Sequence, residues 1–167
     1  MRQSSPEVHT FFDEATNAAC HIVKDPASNA VAIIDSILDF DAAAGRTETT
    51  HADMLIDEIT RNDWQVAWIL ETHVHADHLS AAPYLAEKLG GKIGTGARII
   101  EVQNVFGKIF NEGTEFQRDG SQFDRLFEDG DTYTIGALTV HAIAMPGHTP
   151  AGMVHVVGNA AFVGDTL

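Results

Sequence analysis

The residues with the clearest chemical purpose form one run, Thr72-His73-Val74-His75-Ala76-Asp77-His78, directly after the apolar stretch from Val66 to Leu70. In extended backbone, side chains two positions apart point to the same side. On that geometry His73, His75 and Asp77 can converge on one point, with His78 beside Asp77 at the turn into a helix. Imidazole nitrogen and carboxylate oxygen are the donors that suit zinc, iron or manganese. Exposed histidines and acids also gather in solvated turns, but four such donors between positions 73 and 78, behind a buried strand, favour a metal centre.

Two later groups share that context. Leu138 to Ala144 alternates like a strand, Met145-Pro146-Gly147 turns the chain and His148 follows, while Ala160 to Val163 is a short apolar strand from which Gly164 delivers Asp165. His73, His148 and Asp165 are each expected to leave a strand end and to emerge at one edge of a sheet layer. The glycine before each of His148 and Asp165 is expected to remove side-chain bulk where backbone must approach a shared ion. Taken singly, His148 reads as a turn histidine and Asp165 as a turn or cap carboxylate. Together they favour a common site.

The run His73-x-His75-x-Asp77-His78, then Pro146-Gly147-His148-Thr149, then Val163-Gly164-Asp165-Thr166 resemble, in their usual order, the metal motifs of the metallo-β-lactamase superfamily. Within it, the phrase from Glu71 to Ser80 followed by Gly94-Thr95-Gly96-Ala97 is similar to the persulfide dioxygenases, in particular the bacterial β-lactamase-like hydrolase branch linked to sulfide handling. The likeness runs from about Val8 to the end. It implies an α+β fold, the metallo-β-lactamase αββα sandwich, C-terminally truncated here. It also implies one non-haem Fe(II) held by His73, His148 and Asp165, with His75, Asp77 and His78 orienting ligands and water and Asp77 serving the catalytic apparatus. The implied substrates are glutathione persulfide, or a similar low-molecular-weight thiol persulfide, and O2, with sulfite as product.

In dinuclear hydrolases of the superfamily such as glyoxalase II, the same positions divide differently. His73, His75 and His148 would hold one Zn2+, Asp77 and His78 the other, and Asp165 would bridge. That set requires one more histidine late in the fold, and none follows His155, which sits in the apolar run Met153 to Val157 and reads as a strand residue. A zinc-dependent thioester hydrolase is therefore the second expectation, and an inactive metal-binding fragment the third. The chain stops at Leu167, straight after a candidate ligand, and reads as the N-terminal portion of a longer single domain spanning 1–167. No substrate-binding residue is named by the sequence. A homo-oligomer and a fused or partner sulfurtransferase domain are both compatible with it.

Composition narrows the setting. A chain of 167 residues, 44% hydrophobic, can bury a substantial core. Its formal charge of -14 opposes nucleic acid and anionic membrane surfaces, which call for basic patches. Asp35, Asp39 and Asp41 near one turn, and Glu128, Asp129 and Asp131 near another, read as a solvated face. Cys20 is the single cysteine, so no internal disulfide forms, and it reads as a small buried hydrophobe. Met1 to Asp13 lacks the apolar stretch of a secretory signal, and a cytoplasmic protein is the default expectation.

The elements that must position the site alternate along the chain. Ala18 to Val23 and Ala30 to Ile34 read as strands joined by a hairpin turn over Lys24 to Asn29, and Asp53 to Ile59 carries apolar residues at helical spacing. After the histidine cluster, Ser80 can cap a helix with Pro83 in its first turn, ended by Gly90-Gly91. Lys92 to Gly94 reads as a strand and Ala97 to Phe110 as a helix. Between Asn111 and Asp131 the pattern is polar, interrupted by Phe116, Phe123, Leu126 and Phe127, which are expected to pin a long loop onto the core rather than line a substrate channel. Tyr133 to Val163 reads as several short strands. The whole fits a two-sheet sandwich flanked by helices.

Overall fold

The computed structural model describes residues 4–166. In chain order the elements are β1 (Glu7–Asp13), β2 (Ala18–Lys24), β3 (Ala30–Ile34), β4 (Ile37–Asp41), β5 (Arg46–Glu48), α1 (Thr50–Arg61), β6 (Gln65–Leu70) and β7 (Leu79–Ser80). They continue with α2 (Ala82–Leu89), β8 (Lys92–Gly96), α3 (Ile99–Ile109), β9 (Arg125–Phe127), β10 (Thr132–Ile135), β11 (Leu138–Ala144), β12 (Met153–Val157) and β13 (Ala160–Phe162). A 3-10 turn over Gly164–Thr166 closes the described chain.

A six-stranded sheet runs β1-β2-β3-β6-β8-β9, and a four-stranded sheet runs β10-β11-β12-β13. The first begins as antiparallel hairpins, then β3, β6, β8 and β9 lie parallel. Parallel neighbours need crossovers, and α1, α2 and α3 lie on those connections. The second sheet is an antiparallel meander. Strand alternation builds two cores from one sheet. Val31 and Ile33 of β3 join Ile69, Leu55, Ile59 and Leu85 under the helices, whereas Ala32 and Ile34 join Trp68, Leu70, Ile135, Leu138 and Val140 between the sheets. Trp68 reaches into the second core without an orphaned polar atom, because its Nε1–H donates to the Thr134 carbonyl at 3.0 Å.

The result is an α+β sandwich of helices, six-stranded sheet and four-stranded sheet. Among the described residues no helix covers the outer face of β10–β13, where Thr132, Thr134, His141 and Ile143 are exposed. No described helix is long and apolar enough to cross a membrane.

The strands around positions 18–34 and 138–163 lie where the alternation places them. β1, β4, β5 and β9 carry no comparable signal, since β1 is mostly exposed and the others are short runs with charged or exposed neighbours. α1 extends beyond the expected Asp53–Ile59 to Thr50–Arg61 because its ends are polar turns outside the apolar stripe. Asp39 and Asp41 stand in a strand rather than a turn. Cys20 is buried, and His155 is a fully buried strand residue hydrogen-bonded to the Tyr133 hydroxyl at 3.0 Å. Of the apolar residues in the long polar stretch, Phe127 is fully buried on β9, Phe123 and Leu126 pack against Ile99 and Val102, and Phe116 stays exposed.

Candidate metal centre

Parallel pairing of β3 with β6 sets Ile34 opposite Leu70, so the next residues, Asp35 and Glu71, emerge side by side at the carboxyl end of the sheet. Ligand sites in open α/β sheets gather at such ends. The Asp35 N–H donates to the Leu70 carbonyl at 2.9 Å and the Glu71 N–H to the Gly94 carbonyl at 3.0 Å, which carries the ladder one step past the strands. Beyond Glu71 the chain leaves as the bent loop from Thr72 to His78. The Thr72 carbonyl accepts the Met153 N–H at 2.8 Å and so ties this loop to the four-stranded sheet. That sheet contributes His148, from the turn between β11 and β12, and Asp165, from the 3-10 turn after β13.

His73, His148 and Asp165 meet at this seam. Asp165 Oδ2 lies 3.8 Å from His73 Nε2 and 3.6 Å from His148 Nε2, and the two imidazoles meet edge to face at 5.0 Å. Atoms bound to one ion at about 2.0–2.2 Å sit roughly 3–3.5 Å from one another; the two nitrogen–oxygen separations here are slightly longer, and all three ligand atoms lie within 4.8 Å of one another. His73 is buried, and its Nε2 has no hydrogen-bond partner. A buried orphan nitrogen is costly unless something binds it.

The bonding around Thr72 determines which nitrogen of His73 carries the proton. Thr72 Oγ1 donates its single hydrogen to Asp35 Oδ2 at 2.8 Å, so the contact of 3.0 Å between Oγ1 and His73 Nδ1 must run from Nδ1–H to oxygen. The lone pair of His73 then stands on Nε2, facing His148 and Asp165. Burial, then the neighbouring His75, hold this imidazole below the ordinary histidine value, which keeps it neutral and fit to bind metal.

His75, Asp77 and His78 form a second set whose ligand atoms lie within 4.8 Å of one another. The loop is bent rather than extended, so His75 and Asp77 do not point at the place where His73 meets His148 and Asp165. His78 is buried with Nδ1 at 3.1 Å from the Leu79 carbonyl oxygen and Nε2 without a partner, whereas Asp77 is exposed. His75 Nε2 is 3.2 Å from both Asp35 Oδ1 and Glu71 Oε2. Burial pushes this ring down, but the hydrogen bonds and charges of the two carboxylates outweigh it and raise the ring to about 10.

Asp35 and Glu71 are two buried carboxylates beside these histidines that sequence reasoning did not single out. Asp35 was expected on a solvated face; it is instead 7% exposed, accepting the Thr72 N–H at 2.7 Å and the Thr72 hydroxyl. Burial raises its carboxyl, and bonds from His75 and Thr72 more than offset that and hold it below the usual carboxylate value. Burial raises Glu71, and the charge of Asp35 adds to the rise. No local pattern marks either residue, because their burial follows from the strand pairing.

The two glycines differ. A β-carbon on Gly164, at φ +52°, would lie 2.5 Å from Thr72 Oγ1 and 2.9 Å from His73 Nδ1, so backbone does press on the site there. Gly147 has open space around it, and the expectation of a tight approach before His148 is corrected: the turn points that Cα outward. The ligand set opens on a cleft of about 730 Å³ between the β1–β2 hairpin and β13.

Fold and site together define a metal-binding α+β sandwich with its ligands on strand-end loops of two sheets. Residues 16–167 match the family model described as the metallo-beta-lactamase superfamily, and the chain belongs to that superfamily. It is 52% identical to a probable metallo-hydrolase of Burkholderia pseudomallei over 96% of this chain and 58% of that protein. It is 47% identical to the glyoxylase B2 of Dictyostelium discoideum over 87% of this chain and 51% of that protein. The crystal structure of ETHE1 from Myxococcus xanthus shares the fold with a TM-score of 0.73 at 22% identity, over 96% of this chain and 58% of that one. The chain thus spans somewhat more than half the length of these relatives.

Proposed function

We propose that the protein belongs to a mononuclear non-haem iron enzyme that oxidises glutathione persulfide, or a similar low-molecular-weight persulfide, with dioxygen. The observation that carries this reading is the buried, partnerless Nε2 of His73 facing His148 Nε2 and Asp165 Oδ2. Two imidazoles and one carboxylate on one face of an ion leave adjacent positions open, the arrangement suited to Fe(II) oxygen chemistry. The motif likeness to persulfide dioxygenases points the same way. Overall, persulfide, one O2 and one water give the thiol, sulfite and two protons: the terminal sulfur is oxidised, dioxygen is reduced and the sulfur–sulfur bond breaks.

Held by His73, His148 and Asp165, iron would supply the redox chemistry between the persulfide sulfur and dioxygen. The chain's own residues supply the rest. Thr72 and Asp35 hold His73 in the tautomer with its lone pair on Nε2. Asp77, exposed beside His78, is placed to order water at the mouth of the site. A cleft of about 730 Å³ lined by Asp77, His78, His148 and Asp165 has the volume for a substrate of this class.

A zinc-dependent thioester hydrolase is the second reading, and it has its own observation: His78 Nε2 is also buried without a partner, within the set His75, Asp77 and His78. The likeness to glyoxylase B2 accords with it. Metal analysis after anaerobic purification, with oxygen uptake on glutathione persulfide and hydrolysis of a glutathione thioester, separates the two. One iron per chain with oxygen uptake supports the dioxygenase. Two zincs with thioester cleavage and no oxygen uptake would overturn it.

A further inference from the structure

We infer that Glu71 is a positioning residue for the metal centre, one that sets the orientation of three adjacent imidazoles through His75 and thereby the affinity of the His73, His148 and Asp165 set for its ion. This rests on the proposal that those three side chains hold a metal.

Glu71 is 6% exposed, and its two oxygens have different surroundings. Oε1 accepts the Ser80 hydroxyl at 2.6 Å, with Ser36 Oγ at 3.4 Å. Oε2 faces His75 Nε2 at 3.2 Å and has no other partner. The bond from His75 Nε2 goes to Asp35 Oδ1, also at 3.2 Å, so Glu71 stands beside that bond as a second negative charge on the same nitrogen. Burying a carboxylate next to another carboxylate is unfavourable. Anchoring Ser80 does not require it, since the carbonyl oxygen of an amide would accept that hydroxyl equally well. What the second charge adds is a constraint on His75: with both carboxylates 3.2 Å from the same Nε2, a rotation of the ring gives up both contacts.

His75 is the middle ring of the three. Its centroid lies 4.1 Å from that of His73, at 49° between planes, and 4.1 Å from that of His78, at 30°. At those separations a rotation of His75 displaces both neighbours. His73 is already tethered at Nδ1 through Thr72 to Asp35, so the two carboxylates hold adjacent rings from behind: Asp35 acts on His73 and His75, Glu71 on His75 alone. Partners behind metal-binding histidines typically govern affinity by ~10- to 100-fold.

The test uses Glu71→Gln, which keeps the volume and an oxygen for Ser80 but turns an amide N–H₂ toward the His75 Nε2–H. Zinc affinity is measured by competition with a chromophoric chelator, the ligand field by Co(II) absorption, and the metal-free protein by thermal melting. The expected result is a ~10- to 100-fold loss of zinc affinity with a changed Co(II) spectrum, while the metal-free melting temperature holds or rises because a buried charge repulsion is gone. Ser80→Ala, which keeps both carboxylates but frees Oε1, is expected to lose several-fold in affinity. Glu71→Gln that binds zinc within about twofold of wild type overturns the inference, as does a metal-free variant that melts well below wild type, which would make Glu71 a residue of the fold. Wild type that takes up neither zinc nor Co(II) removes the underlying metal reading itself.

Discussion

Gly164→Ala and Gly147→Ala look equivalent in sequence, each adding one methyl before a candidate ligand, yet the structure separates them sharply. At Gly164 the backbone has φ +52°, and the new β-carbon would sit 2.5 Å from Thr72 Oγ1 and 2.9 Å from His73 Nδ1. Left-handed backbone costs an L-residue about 1–2 kcal/mol, and forcing a methyl into packed surroundings adds about 1–3 kcal/mol. Thr72 cannot yield without breaking its bonds to Asp35, whereas Asp165 stands on a turn with its side chain 55% exposed. The turn therefore moves, and it carries Asp165 away from His73 and His148. The cost of about 2–5 kcal/mol falls mainly on ion binding, a loss of roughly 30-fold to several thousand-fold at about 1.4 kcal/mol per tenfold. Gly147 has nothing within 4 Å of its added β-carbon, and Gly147→Ala should bind within about threefold of wild type. Zinc competition titrations on both variants provide the measurement. Equal affinities for the two, in either direction, would refute the argument that Gly164 is the contact between Asp165 and the His73 tether.

Thr72→Val deletes the hydroxyl that accepts His73 Nδ1–H and donates to Asp35, so zinc affinity should fall by ~10- to 100-fold while Thr72→Ser retains most of it; equal affinities for Val and Ser would remove the tautomer argument. Burial pushes the His155 imidazole from 6.5 down to about 4, so the unfolded chain takes up a proton that the folded protein resists. That stability is present above the unfolded value and is lost as pH falls from about 6.5 toward 4, amounting to about 3 kcal/mol at about 1.4 kcal/mol per pH unit. Urea unfolding at about pH 7 and about pH 4.5 should show the slope in wild type and a shallower one in His155→Phe.

The sequence exposes those parts of the site that local pattern encodes. His73, His148 and Asp165 each follow an apolar run that makes a strand, so their convergence could be inferred from three separate strand ends. Asp35 and Glu71 could not be found that way. Asp35 sits in a stretch with Asp39 and Asp41 that looks solvated, and Glu71 is a lone acid before the histidines. Their burial comes from the register that sets Ile34 opposite Leu70 across parallel strands 36 residues apart in sequence, a pairing no local window contains. β9 was invisible for a similar reason. Phe127 belongs to a strand only because Gly96 of β8 lies alongside it, and the run Arg125-Leu126-Phe127 between Asp124 and Glu128 is too short to show alternation.

The candidate ligands come from opposite sheets, and this explains why so many contacts converge on Thr72. His73 extends from the six-stranded sheet, while His148 and Asp165 extend from the four-stranded one, so any ion they share is a cross-link between layers. Before that cross-link forms, the sheets must already be in register at this edge to within the tolerance of a coordination bond. Thr72 provides this alignment three times over. Its carbonyl accepts Met153 from the second sheet, its hydroxyl and N–H engage Asp35 from the first, and its side chain abuts Gly164 immediately before Asp165. Thr72, which is not among the candidate ligands, thus positions candidates from both layers, because the position of the site depends on how the two sheets dock.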